Sequence, residues 1–245
     1  MNISSTPFRR SLLFAALPAA LAFASCSDDD DSSAPAQGRL LISHAAASAN
    51  VQVKALVNTS EVGQLTYGQT TSYLNVNAGS PTLKINVASS NQEAASQVLT
   101  VASGQNYSAF AYPLSASTVG LLAVSDDLTA PATGQAKIRV VHVALGAPAT
   151  VKLSQQTIAG ATDVAGINAT FPGASAFASV PAGTYSLSVT TGTTSSTVVP
   201  VGDGTGTGTG SKNYESGKIY TIVVRGLASS LDPALQSKAV IIANN

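Results

Sequence analysis

The chain is patterned in short apolar runs separated by turn-forming residues. Beyond about residue 38, runs rich in Val, Ile, Leu, Thr and Tyr alternate with clusters of Gly, Pro, Asn and Ser. The segments TLKINV (Thr82–Val87) and YSLSV (Tyr185–Val189) carry apolar side chains at every second position, which is typical of a half-buried β-strand. No segment after residue 25 has a convincing helical period. The pattern therefore predicts an all-β protein of several short strands, arranged as a β-sandwich.

The predicted strands occur twice in the same order. Four blocks align between the two halves of the chain: Arg39–Leu56 with Lys137–Leu153, Tyr73–Val87 with Phe177–Val189, Ala102–Tyr112 with Glu215–Arg225, and Val119–Leu128 with Ser237–Asn245. The equivalent pairs in this alignment include His44 and His142, Gly79 and Gly183, and Tyr107 and Tyr220. Repetition of this kind predicts two tandem domains. We expect a first sandwich at 38–128, a linker at 129–136 and a second sandwich at 137–245.

These blocks resemble a known family. VVHVALGAP (Val140–Pro148), PAGTYSL (Pro181–Leu187) and SGKIYTIVV (Ser216–Val224) are similar to the signature of the domain of unknown function 4397. The second copy has Leu145-Gly146 where the family usually has Pro-Asp, and the first copy lacks both prolines of that turn. The resemblance covers nearly all of 39–245. It implies immunoglobulin-like β-sandwiches outside the cytoplasm and no established catalytic activity.

The N-terminal 25 residues have the layout of a secretory signal peptide. Arg9 and Arg10 precede the apolar run Ser11–Ala22, which is too short for a comfortable membrane span. The small residues before Cys26 resemble a bacterial lipobox, although Phe23 stands where an aliphatic residue is usual. The resemblance implies a diacylglyceryl group on the Cys26 sulfur and cleavage before this residue. Several acyl chains make a stable membrane anchor, so we expect an outer-membrane lipoprotein carrying palmitate or similar chains.

A short acidic run directly follows Cys26. Its residues are Ser27, Asp28, Asp29, Asp30 and Asp31. Four adjacent carboxylates cannot be buried without partners, so we interpret 26–37 as a disordered tether. The run resembles the export signal that sends some lipoproteins to the cell surface, and a solvated spacer is the alternative.

Composition restricts the partners more than it identifies them. Only 10% of the residues are charged, with 12 basic and 12 acidic side chains, and no basic patch indicates nucleic-acid binding. Besides the membrane, an envelope protein or a glycan remains a possible partner. The chain has a single cysteine and no tryptophan, and the sequence does not indicate an oligomeric state.

Few residues suggest chemistry. His44 and His142 are the only histidines, and neither has nearby residues that would complete a metal site. We therefore interpret them, with Gly79, Gly183, Tyr107 and Tyr220, as structural, and we expect no metal and no cofactor. The glycine-rich Val201–Lys212 lacks the Gly-Lys-Ser/Thr of a phosphate-binding loop. We expect it and Gly160–Ser175 to be loops that the first copy lacks.

The acidic residues of the folded part are scattered along the sequence, mostly in expected loops. They are Glu61, Glu93, Asp126, Asp127, Asp163, Asp203, Glu215 and Asp232. The leading hypothesis is a non-catalytic, lipid-anchored surface module for binding, adhesion or structure. A subunit of a larger outer-membrane complex is the alternative. A hydrolase would require two of these acids to meet in one cleft.

Overall fold

The computed structural model describes residues 35–245. The expected signal peptide, Cys26 and the acidic run fall outside the described residues. No α-helix occurs in the described part, where the one helical element is a 3-10 turn at Ala47–Ala49, so it contains no helix that could cross a membrane. The prediction of an all-β sandwich protein is confirmed.

The first half of the described chain forms two four-stranded sheets. Its strands are β1 (Gln37–His44), β2 (Val53–Val57), β3 (Ser60–Leu65), β4 (Leu74–Asn77), β5 (Thr82–Val87), β6 (Glu93–Val98), β7 (Asn106–Pro113) and β8 (Val119–Asp126). One sheet has the order β4-β1-β7-β8, with β1 parallel to β7, and we call it the first inner sheet. The other has the order β3-β2-β5-β6, is antiparallel throughout and forms the first outer sheet.

The second half repeats this strand order with more interruptions. Its strands are β9 (Gln135–Leu145), β10 (Thr150–Thr157), β11 (Gly160–Thr170), β12 (Gly173–Ala174), β13 (Ala178–Pro181), β14 (Gly183–Tyr185), β15 (Leu187–Thr191), β16 (Ser196–Pro200), β17 (Lys212–Tyr214), β18 (Ile219–Leu227) and β19 (Lys238–Ala243). The second inner sheet has the order β12-β9-β18-β19, with β13 also paired to β9. The second outer sheet has the order β11-β10-β15-β16, and β14 pairs with β17.

Register shows that the two inner sheets are equivalent in detail. Leu40 lies opposite Tyr107 in the parallel pair β1/β7, and Ile138 lies opposite Tyr220 in the parallel pair β9/β18. These are the residues that the sequence alignment places together. Strand β9 begins at Gln135, two residues before the expected start of the second sandwich.

One sequence-based expectation about the second half is wrong. Residues 160–170 form the strand β11, which pairs with β10 and takes the place that β3 has in the first sandwich. The segment was expected to be a loop because the alignment of the two halves finds no counterpart for it in the first half. Because β11 is an edge strand whose residues are mostly exposed, it forms without an alternation of large apolar and polar residues.

Tyrosine hydroxyls accept hydrogen bonds from the backbone just before β7 and just before β18. The backbone N–H of Ala102 donates to the Tyr107 hydroxyl at 3.1 Å, and the N–H of Glu215 donates to the Tyr220 hydroxyl at the same distance. Each bond joins residues five positions apart. This resembles the tyrosine corner of immunoglobulin-type sandwiches. Gly79 precedes β5 with a φ of 121°, a conformation open to glycine and costly for other residues.

Three apolar layers hold the sheets together. Leu40, Ile42, Leu83 and Ile85 are among the buried residues between the first inner and outer sheets, and the second sandwich has its own equivalent core. A third cluster joins the two inner sheets face to face. The sheets therefore stack in the order outer, inner, inner, outer. Because both faces of each inner sheet are covered, β9 is buried almost continuously from Ile138 to Ala144 instead of at alternate residues.

Candidate functional site

The centre of the contact between the two inner sheets is apolar. Phe110 and Tyr112 of β7 meet Val141, Val143 and Val223 of the second inner sheet, and all five are buried. These side chains point away from the two sandwich cores, since the core-facing residues of β7 and β18 are their sequence neighbours. The two sandwiches are thus joined by a packed hydrophobic layer, which fixes the orientation of one sandwich relative to the other.

A buried ion pair lies at one end of this contact. The Arg139 guanidinium of β9 contacts the Asp126 carboxylate of β8 at 2.5 Å, with side chains 2% and 0% exposed. Arg139 also donates to the backbone oxygen of Ser125 at 3.1 Å and to the Thr221 hydroxyl at 3.0 Å. A buried charge is tolerated only when paired and hydrogen-bonded in this way.

Hydroxyl and amide groups complete the network around Asp126. Ser108 donates to the Asp126 carboxylate at 2.6 Å and Tyr73 donates to the same oxygen at 2.5 Å. The Asn244 amide bridges the two sandwiches, since its nitrogen donates to the Tyr73 hydroxyl and its oxygen accepts from Thr221. Burial, followed by the bond to Asp126, raises the pKa of Tyr73 to about 12. The phenol therefore stays protonated and acts here as a donor.

The contact is built from equivalent positions of the two sandwiches. By strand register and spacing, Ser108 corresponds to Thr221 and Asp126 to Asn244. The pair Tyr112 and Phe171 (ring centroids 5.8 Å apart) corresponds in the same way to Arg225 and Tyr67. The contact is therefore an approximate two-fold arrangement. Two clefts flank it, each formed where the edge strand of one inner sheet meets the other sandwich.

The first of these, which we call the Arg225 cleft, has a volume of about 600 Å³. One wall is the segment Gly68–Tyr73 of the first sandwich, with Leu41 and Ser43 of β1 behind it; the other is Val240–Asn245 of the second sandwich. Arg225 lies on its floor and Gly204 and Thr205 on its rim. Its lining is rich in hydroxyl and amide groups and contains no Asp or Glu side chain.

Arg225 has an unusual environment for a cation. Its guanidinium stacks on the Tyr67 ring, 4.8 Å from the centroid, and lies so close to Gly68 that a Cβ there would approach the Nη1 atom to 2.5 Å. Among residues 35–245 the buried Nε atom has no hydrogen-bond acceptor and no acidic side chain forms a salt bridge with Arg225. Burial lowers the pKa of Arg225 below its usual range. The charge is thus only partly solvated and lacks a counter-charge in the described part of the chain.

The glycine-rich segment packs against the edge strand next to this cleft. The N–H of Ile241 donates to the Gly204 carbonyl at 2.9 Å, which covers part of the open edge of β19. Gly204 has a φ of 85°, and a Cβ there would come within 2.5 Å of the Ile241 side chain. Between the glycines, Thr205, Thr207 and Thr209 form a row of hydrogen-bonded hydroxyls that ends on Asp203. As expected from the sequence, this segment is a loop, and a strand follows it instead of a phosphate-binding helix.

The second cleft, which we call the Phe177 cleft, occupies the equivalent place on the other side of the contact. It has a volume of about 590 Å³ and is lined by Ala123–Ser125, Asp127, Arg139 and Ala174–Phe177. Its arginine stacks on Phe177 at 4.5 Å but is neutralised by Asp126. The aromatic pair Tyr112 and Phe171 takes the positions beside this cleft that Arg225 and Tyr67 take beside the first one. The two clefts are similar in size, and the charge without a counter-charge belongs to the Arg225 cleft.

Comparison with known families assigns part of the chain. Residues 38–153 match a family model described as "Domain of unknown function (DUF4397)". That stretch carries a DUF4397 domain. The match includes the first sandwich and continues through β9 into β10, so it crosses the expected linker. No curated protein matches the chain.

Two solved structures have distant similarity to the chain. The Bacillus anthracis TIE protein is 13% identical with a TM-score of 0.25, over 78% of this chain and 34% of that one. A leucine-rich repeat protein from Bacteroides thetaiotaomicron is 12% identical with a TM-score of 0.20, over 76% of this chain and 25% of that one. The chain thus spans about a third or less of either protein, and the DUF4397 match itself describes no activity.

The residues singled out in the sequence do not come together in either cleft. His44 makes a hydrogen bond of 3.1 Å to the Val51 carbonyl, and His142 one of 2.9 Å to the Pro148 carbonyl. Both imidazoles are buried at equivalent positions, His44 at the end of β1 and His142 within β9, and burial lowers both pKa values. Gly79 and Gly183 both pair with the residue six positions before the corner tyrosine of their sandwich.

Among residues 35–245, each acidic side chain either forms a local ion pair or has no charged partner. Asp127 pairs with Lys137 at 2.8 Å, and Asp163 with Lys152 at 3.0 Å. Each of the clefts described above contains at most one acidic side chain. Within residues 35–245, no group of three or more His, Cys, Asp or Glu side chains could hold a metal ion.

The sequence prediction missed the three most important polar residues. Asp126 was grouped with scattered loop acids, yet it is the buried last residue of β8. Arg139 and Arg225 were given no role. The available signal was an arginine inside an apolar run, as in KIRVVHV and YTIVVRG, because a strand covered on both faces has no solvent for a charge.

Proposed function

We propose that the protein is a non-catalytic, lipid-anchored binding module of the bacterial outer membrane, made of two tandem DUF4397-type sandwiches. Cys26 would carry the lipid, and the Ser27–Asp31 run would hold the folded part away from the membrane and direct it to the cell surface. The second sandwich would be a second copy of the family, because it repeats the strand order and register of the first.

One observation supports a binding role most directly. The Arg225 cleft is open, polar and lined from both sandwiches, and it holds a guanidinium without a counter-charge among residues 35–245. Clefts between domains, with a few convergent polar groups, are common binding sites. The apolar layer beneath it holds the walls in place without any ligand.

Anchoring and exposure are tested together in cells. Labelled palmitate should enter the wild-type protein and be lost with Cys26→Ala, and protease added to intact cells should remove the folded part. Replacing Asp28 to Asp31 by asparagine should keep the label and abolish protease access. Labelling of the Cys26→Ala variant would contradict the anchor, and unchanged protease access of the asparagine variant would make the acidic run a spacer.

A further inference from the structure

We propose that the Arg225 cleft binds the carboxylate of an acidic sugar, such as a uronic acid residue of an envelope or extracellular polysaccharide. This rests on the proposed binding function and names its ligand class. The inference starts from the difference between the two arginines of the contact. Arg139 is fully paired within the protein, whereas Arg225 presents a guanidinium to an open cleft.

The chemistry of Arg225 selects an oxyanion. A guanidinium binds a carboxylate through two parallel N–H···O bonds, which are among the strongest hydrogen bonds in proteins. Stacking on Tyr67 fixes the plane of the group, so little side-chain entropy remains to be lost on binding. The Arg225 guanidinium has no salt-bridge partner among residues 35–245, and the lining contains no Asp or Glu side chain.

The remaining lining favours a sugar over a peptide. Hydroxyls of Thr70, Ser72 and Thr205 line the cleft. Thr70 donates to Ser43 and Thr205 to Asp203, so their oxygens can accept from the hydroxyls of a sugar ring, while Ser72 can donate or accept. Tyr73 also lines the cleft, with its hydroxyl bonded to Asp126 and Asn244. The wall strand β19 offers little backbone for pairing with a peptide strand, because the Gly204 carbonyl already accepts the N–H of Ile241.

The binding experiment uses the lipidated protein purified in non-ionic detergent, with calorimetry of trigalacturonate and of neutral galactotriose. Trigalacturonate should bind, and galactotriose should bind at least tenfold more weakly. Arg225→Gln should weaken trigalacturonate binding at least tenfold, whereas Lys54→Gln, which removes a half-buried positive charge from the first outer sheet, should leave it unchanged. Failure of trigalacturonate to bind, or equal binding of galactotriose, would overturn the proposal.

A second pair of variants keeps Arg225 and protects against a folding artefact. Thr205 lines the cleft and Thr207 does not, although both are exposed residues of the same Gly-Thr repeat. Thr205→Glu places a negative charge at the rim and should weaken trigalacturonate binding at least tenfold, while Thr207→Glu should weaken it less than twofold. Equal effects of the two would place the sugar elsewhere and refute the cleft.

A peptide arm distinguishes the two sources of a carboxylate. If a glutamate-containing tetrapeptide binds with the same dependence on Arg225 and trigalacturonate does not, the sugar proposal is wrong and the cleft is a peptide site. These outcomes are separate from the anchoring tests above. If the wild-type protein took up no palmitate but still bound the sugar, the anchor would be refuted and the ligand retained. If it took up palmitate but did not bind the sugar, the anchor would be retained and the ligand refuted.

Discussion

The two clefts beside the contact are built on the same strand framework, and they differ in the partners of the arginine that lines each one. In the Phe177 cleft, Arg139 has an acid, a hydroxyl and a backbone carbonyl as partners. In the Arg225 cleft, Arg225 has one aromatic face and no acid among residues 35–245. The strand framework is shared and the charges are not. Arg139 is paired across the contact between the sandwiches, and Arg225 faces an open cleft.

The largest effect should come from removing the acid of the paired side. Asp126→Ala leaves the Arg139 charge buried without a partner, which costs about 3–5 kcal/mol of unfolding free energy. Urea unfolding followed by circular dichroism measures the loss. The neighbouring Asp127→Ala breaks only the ion pair with Lys137, in which the Asp127 side chain is 60% exposed, and should cost about 1 kcal/mol or less.

A double variant refines this test, because the equivalent positions on the other side of the contact already show how the same framework does without the ion pair. Leu41 stands at the position of Arg139, and Asn244 at that of Asp126. Combining Arg139→Leu with Asp126→Asn should therefore recover at least about 2 kcal/mol relative to Asp126→Ala. If the double variant were as unstable as the single one, the ion pair would not explain the loss.

Replacing the two arginines one at a time should give unequal losses of unfolding free energy. Arg139→Met strands the Asp126 carboxylate in the interior, so about 3–5 kcal/mol should be lost. Arg225→Met strands no acid, and the lost stacking on Tyr67, about 0.5–1 kcal/mol, is offset by removal of a partly desolvated charge. Its unfolding free energy should change by about 1 kcal/mol or less. Equal losses for the two variants would mean that Arg225 has a structural counter-charge after all.

Sequence patterns were sufficient for the all-β class and for most strands, and insufficient for this difference. Period-2 runs such as Thr82–Val87 and the repeated His, Gly and Tyr positions identify strands because they reflect local backbone and core-facing packing. The parallel pairing of β1 with β7 and the face-to-face contact of the inner sheets depend on distant segments. Arg139 and Arg225 have similar apolar neighbours in sequence, and only the contact with the other sandwich gives one of them Asp126.

The two histidines should make stability depend on pH near neutrality. In the folded protein burial lowers the pKa of His44 and of His142 from 6.5, so the unfolded chain binds more protons below that pH. Stability should therefore fall as the pH drops from about 7 to 5, with a slope of up to about 1.4 kcal/mol per pH unit for each histidine. Thermal unfolding between pH 5 and 7 measures it, and His142→Gln should reduce the slope by up to half.

The pKa values of the two histidines should also respond differently to a change in the Arg225 cleft. For His44 burial is the largest cause of the lowered pKa and the Arg225 charge lowers it further, whereas His142 has no such neighbour. Arg225→Met should raise the pKa of His44 and leave that of His142 unchanged, as followed by NMR titration of the ring protons. A parallel shift of both histidines would indicate a general loosening of the contact instead of a local charge effect.

Effects smaller than those of the buried ion pair should come from the corner tyrosines, where the two sandwiches are most alike. The N–H that Tyr220 accepts is partly buried, whereas the one that Tyr107 accepts is exposed and can turn to water. Tyr220→Phe should therefore cost about 1–2 kcal/mol of unfolding free energy and Tyr107→Phe about 0.5 kcal/mol. Urea unfolding of the two variants resolves this difference. If Tyr107→Phe cost as much as Tyr220→Phe, solvent access to the freed N–H would not be what distinguishes the corners, and the duplicated framework would be equally rigid in both sandwiches.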